Sequence, residues 1–161
     1  MKFSHTTLIV ISGFVWLLVG VFLLQLGLSL LLSDFQTPSM QNNQVTWVRM
    51  LAQHVGSIEV ASVILVVVAL YIGYFKGRFV LGKSARRGVA RIATLSNPAP
   101  ITQIYSAKYY ILLGGMVALG ISIKYMGLNN DLRGFIDIII GSALINGAMI
   151  YFSESRLKRA E

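Results

Sequence analysis

"LIVISGFVWLLVGVFLLQLGLSLLL", residues Leu8–Leu32, runs for twenty-five positions without a charged side chain. A helix rises about 1.5 Å per residue and a hydrocarbon core is about 30 Å thick, so about 20 such residues cross it. No soluble surface helix reads this way, because water demands a polar face. Lys2 gives the chain a basic start, but the apolar run is far longer than the core of a signal peptide. The segment after it, "LLLSDFQTPSM", offers no small-residue cleavage site. The stretch is read as an uncleaved membrane helix.

Three further apolar runs follow, at about 58–75, 109–123 and 135–152. They are shorter and borrow interfacial residues at their ends. Composition agrees: 55% of the 161 residues are hydrophobic, 12% are charged, and the mean hydropathy is +0.70. A soluble domain carries about twice that share of charge. The expected fold is all-α, a single polytopic domain of four transmembrane helices. An outer loop covers 33–55 and a basic loop covers 76–108.

Charge sets the orientation. Eleven of the fourteen Lys and Arg residues fall at the N-terminus, in 76–108 or at the C-terminus, and three (Arg49, Lys124, Arg133) fall in the other connections. The positive-inside rule then places both termini and the basic loop in the cytoplasm. A bacterial inner (plasma) membrane fits this pattern. The net charge of +8 is accounted for by topology and by anionic lipid headgroups. Nucleic acid is not required. Within the basic loop, Ala85, Val89 and Ile92 recur at helical spacing, leaving Arg86, Arg87 and Arg91 as candidate headgroup contacts.

Residues Gly77–Ser84, "GRFVLGKS", spell a phosphate-binding loop. That spelling needs a strand before it and a helix after it. Here "LVVVALYIGYFK" precedes it, and residues 76–108 contain no acidic side chain for magnesium. No nucleotide is expected.

Small residues recur within the spans. Gly13, Gly20 and Gly27 repeat every seven residues in the first, and Gly114, Ala118 and Ser122 form a ridge in the third. Such stripes let membrane helices approach closely, within one bundle or against a partner. Asn146 and Gln25 are amides inside spans, expected to hydrogen-bond to a neighbouring helix. Glu59 and Asp137 are the carboxylates nearest hydrocarbon. Both are expected in the first turn of a helix that starts outside, where the macrodipole favours them; the alternative is a cation or proton site.

The chain has no cysteine, and its two histidines, His5 and His54, are expected on opposite sides of the membrane. Neither a haem pair nor a catalytic set is legible, and no cofactor or metal is expected. The sequence therefore points to a non-catalytic helix-packing or partner-binding subunit, as a homo-oligomer or with a larger membrane partner. The alternative is an oligomeric channel or carrier with Glu59 and Asp137 at its external mouth.

Overall fold

The computed structural model describes residues 2–36, 47–95, 99–100 and 129–160. The third apolar run, with Gly114, Ala118 and Ser122, lies outside the described residues. What is described is helical apart from a two-residue antiparallel ladder, β1 (Lys2–Phe3) with β2 (Ala99–Pro100). The helices are α1 (His5–Gln36), α2 (Trp47–Val55), α3 (Ile58–Lys76), α4 (Gly82–Ala93) and α5 (Asn130–Ala160). Three helical stretches are long and apolar enough to cross a membrane: His5–Leu32, Ile58–Ala93 and Asn130–Leu157. This is a membrane protein.

Helix α5 is the hub. Its glycines repeat the heptad of α1 in reverse, so Gly27 meets Gly134 and Gly20 meets Gly141. A Cβ built on Gly27 would stand 2.7 Å from Gly134 O, and one built on Gly134 would stand 2.7 Å from Gly27 O. A Cβ on Gly20 would lie 2.9 Å from Gly141 O. The two backbones touch, and only hydrogen fits between them. A seven-residue repeat on both partners keeps such a seam aligned as the helices coil. The pairing is antiparallel, which brings the chain's two ends to the same end of the bundle.

Helix α3 packs on another side of α5 and runs parallel to it. Gly73 faces Ser142 and Ile139, Gly77 faces Ala143 and Asn146, and Gly82 faces Ile150. The buried positions are Ala69, Gly73 and Gly77, then Gly82, Ala85, Val89 and Ile92. The step from Gly77 to Gly82 is five residues where an α-helix would take three or four. A single π turn, Gly77–Leu81, supplies the extra residue, and the Gly82 amide donates to Gly77 O. Without it the apolar face of α4 would point about 100° away from α5.

The supposed basic loop 76–108 is thus helical through Ala93. Glycine and clustered arginine read as a loop, but here the glycines serve close packing and the arginines lie on the outer side. The connection 33–55, expected outside, likewise contains α2, and α1 extends to Gln36. Gly56, at φ +90°, makes the turn from α2 into α3, a conformation that other residues resist. Ser57 Oγ then caps α3 by accepting from Val60 N at 3.2 Å.

Surface character changes along the bundle. On α1, Phe14, Leu18, Val21, Phe22 and Leu32 are exposed and apolar; on α3, Val63, Val67, Tyr71 and Phe75 are too. Beyond the π turn, the exposed positions of α4 are Lys83, Arg86, Arg87, Ala90, Arg91 and Ala93. The Ile58–Ala93 helix has 36 residues, about 54 Å of length. That exceeds the hydrocarbon by more than 20 Å. That helix is thus longer than the hydrocarbon, and its α4 end carries a polar outer face. This end of the bundle, the head, is packed around Leu8, Ile9, Trp16, Ala85, Val89, Ile92, Leu144, Ala148 and Tyr151.

Candidate functional site

Glu59 lies in the first turn of α3, where its side chain is exposed. Asp137 does not occupy the corresponding place. Helix α5 begins at Asn130, five residues before the apolar run, so Asp137 sits two turns inside and is buried. Its ion-pair partner among the described residues is Arg133, one turn back, with Nε 4.0 Å from Oδ2. No hydrogen bond or ion pair joins Glu59 to Asp137, and one is exposed while the other is enclosed. The described part of the chain shows no direct contact between them.

The carboxylate that does occupy a helix start is Asp131. It is 2% exposed, in the first turn of α5, and its Oδ2 accepts from Val48 N at 3.2 Å. Val48 lies in the first turn of α2. Two helix N-termini therefore share one buried carboxylate, which satisfies one of the unpaired amides of α2 and faces two positive dipole ends. Oδ1 has no hydrogen-bond partner among the described residues. Sequence reading passed over Asp131 because it preceded the apolar run. The available signal was "NND" at Asn129–Asp131, a capping residue followed by a first-turn acid.

Helix α2 covers a second apolar cluster: Leu31, Val48, Ala61, Ala69 and Ile138. Beside it an open groove of about 580 Å³ is lined by Trp47, Met50, Leu51, His54 and Leu65. Its one titratable wall residue, His54, is tied to its own helix, with Nδ1 3.0 Å from Met50 O. His5 belongs to the other end, where Nε2 lies 3.0 Å from Leu95 O. The two histidines are thus at opposite ends of the bundle. Among the described residues, the groove offers apolar contact and no converging polar groups.

The other candidates are placed as follows. Gly13 packs under Tyr151 and Phe152, completing the stripe with Gly20 and Gly27, and all three face α5. Asn146 turns to its own helix, donating from Nδ2 to Ser142 O at 2.9 Å, while its Cβ packs at Gly77. Gln25 faces outward from α1. Arg86, Arg87 and Arg91 are exposed on α4, with Arg86 Nε 3.9 Å from Glu154 Oε1. An ion pair so open to water contributes little to stability. Residues Gly77–Ser84 form the π turn and the start of α4, a continuous helix rather than a loop between strand and helix.

Among the described residues, no group of three or more His, Asp or Glu side chains could hold a metal ion. Comparison of the chain with protein-family models, curated proteins and solved structures returns no match.

Proposed function

We propose that this protein is a small non-catalytic membrane subunit that works by binding other membrane helices. Its four spans would form one bundle in the plasma membrane with both termini cytoplasmic. The observation that carries the reading is how the described helices pack. Gly20 against Gly141 and Gly77 against Ala143 bring backbones into contact on two sides of α5. Such seams favour a solid bundle over one that carries solute between these helices. What remains for recognition is the outer surface.

The direction of the helices supports four spans. Helices α3 and α5 run parallel, so residues 96–128 must return the chain from one end of the bundle to the other. The apolar run 109–123 is the segment suited to that crossing. The eleven-to-three Lys/Arg bias supports a cytoplasmic α4 end. Arg86, Arg87 and Arg91 would then lie at the level of anionic headgroups. Gln53→Cys should react with an impermeant thiol reagent added outside intact cells, and Arg87→Cys should not. The reverse pattern would invert the orientation.

A channel or carrier built from several copies is the second reading. The buried Asp137, whose Oδ2 lacks a hydrogen bond among the described residues, favours it. Purified chain in liposomes distinguishes the two. The subunit reading expects no proton or monovalent-cation flux above empty vesicles. Flux in the wild type that Asp137→Asn and Glu59→Gln both abolish would establish transport instead.

A further inference from the structure

Helix α1 uses one face on α5 and leaves another open. On the open side Val15, Leu18, Phe22, Gln25, Ser29 and Leu32 succeed one another at steps of three, four, three, four and three, and all six are exposed. That is an unbroken heptad seam, with Val15, Phe22 and Ser29 at one core position and Leu18, Gln25 and Leu32 at the other. Any exposed helix face repeats at such steps, so the spacing alone names no partner. Lipid contact does not explain the amide. Gln25 lies seven residues from the end of the apolar stretch, about 10 Å along the helix, and its side chain is too short to reach water from there. It has no hydrogen-bond partner among the described residues, and an unpaired amide in hydrocarbon is strongly unfavourable.

We propose that this seam is the contact surface for a second copy of the chain, with the Gln25 amides of the two copies paired across a two-fold axis along the membrane normal. The proposal rests on the helix-binding role above and names the partner. All copies insert in one orientation, so a two-fold along the normal sets α1 parallel to α1. In a parallel coil each core position meets its own equivalent, so Gln25 meets Gln25. An amide carries both a donor and an acceptor, and two identical amides satisfy one another. The flanking Leu18, Phe22 and Leu32 supply the apolar knobs on either side. A polar residue at one core position also fixes register, since any slip sets the amide against leucine or phenylalanine.

The test uses the full chain in phosphatidylcholine vesicles, where the absence of native cysteine makes single-cysteine variants clean. Disulfide cross-linking at Leu18→Cys, Gln25→Cys and Leu32→Cys should exceed that at Val19→Cys on α1 and Val67→Cys on α3 by about tenfold, following the core positions of the seam. Energy transfer between labelled chains, titrated with lipid, should show dimers in the wild type. Gln25→Leu should raise the dissociation constant about tenfold through the lost interhelical pair. Its thermal midpoint as a monomer should not change, because the residue faces outward. If α1 faces only lipid, leucine is the better residue and nothing weakens. Monomeric wild type, strongest cross-linking at Val67, or an unchanged Gln25→Leu dimer would each overturn the proposal. A monomer that still binds a different membrane protein would overturn it and leave the subunit reading intact. A dimer that conducts cations would do the opposite.

Discussion

The waist of the bundle and its α4 end are built from the same helices and packed by opposite means. At the waist glycine meets glycine, and main-chain atoms stand at contact distance. In the head, Tyr151, Leu8, Ile9 and Ile92 are fully buried and Trp16 stacks edge-on against Tyr151 at 5.5 Å. Solvent accounts for the difference. The exposed Lys83, Arg86, Arg87 and Arg91 call for polar surroundings at the α4 end, and burying a large apolar side chain from water is worth about 1.5–3 kcal/mol, so bulk is favoured there. In lipid the same side chain is equally well solvated outside, and only close van der Waals approach distinguishes the packed state. One helix pair thus packs by backbone contact at one level and by bulky side chains at another.

The strongest way to break this comparison is to remove bulk from the head. Tyr151→Ala deletes a ring that packs on Trp16 and lies over Gly88. It should cost about 3–5 kcal/mol, as for other buried aromatics. Thermal unfolding in mild detergent should show the loss, and amide exchange should quicken across α4. An exchange pattern unchanged at 82–93 would mean that the head is not held by this core.

Adding bulk at the waist is the complementary experiment. Gly20→Leu inserts a side chain where even a Cβ would lie 2.9 Å from a carbonyl oxygen and from Ile145 Cγ1. Overpacking of this kind costs about 1–3 kcal/mol, because backbones must part. Val21→Leu, on the exposed neighbouring surface, should stay within about 0.5 kcal/mol. Equal tolerance at both positions would show that the seam does not close as described.

The α2 end tests a polar contact in place of a packed one. Asp131→Ala leaves Val48 N without its acceptor and removes a charge from two helix N-termini. A lost cap costs about 1 kcal/mol. Exchange at the amides of α2 should rise, while the head and the waist stay protected. Protection of α2 unchanged by the substitution would show that its apolar face holds it unaided.

Some of this was written plainly in the sequence and some was not. The heptad of Gly13, Gly20 and Gly27 announces a close helix contact, because nothing else explains that period in an apolar run. Which helix fills it was not legible: the answering Gly134 and Gly141 share the period, but pairing direction depends on tertiary contact. The π turn was hidden because "GRFVLGKSARRG" combines glycine and arginine, the usual marks of a loop. Its helical register appears only when Gly73, Gly77, Gly82, Ala85 and Val89 are seen on one face. Asp137 was assigned to a helix start because hydrophobicity marks where a helix enters lipid, whereas Asn130 and Asp131 mark where it begins. The expectation for Gly114, Ala118 and Ser122 lies outside the described residues.

The smallest effect is expected at Gly82, and it discriminates most finely when set beside Gly77, five residues away. Gly77 belongs to the waist, and a Cβ there would stand 2.7 Å from Ala143 O and 2.9 Å from Ala143 Cα, both main-chain atoms that cannot yield alone. Gly82 belongs to the head, and a Cβ there would meet Ile150 Cδ1 at 3.0 Å, the far end of a side chain that can turn aside. Both residues have ordinary right-handed helical angles, Gly82 at φ −58° and ψ −42°, so alanine strains neither backbone. Alanine also gains about 0.5–1 kcal/mol over glycine inside a helix by restricting the unfolded chain. At Gly77 that gain is overwhelmed, and Gly77→Ala should lower stability by about 1–3 kcal/mol. At Gly82 the gain should roughly balance or exceed the displacement of one methyl group, leaving Gly82→Ala within about 0.5 kcal/mol of the wild type. Thermal midpoints of the two variants, measured side by side in one detergent, read the difference directly. A large loss at Gly82 would mean that contact packing continues past the π turn and that the change of rule lies further along the helix.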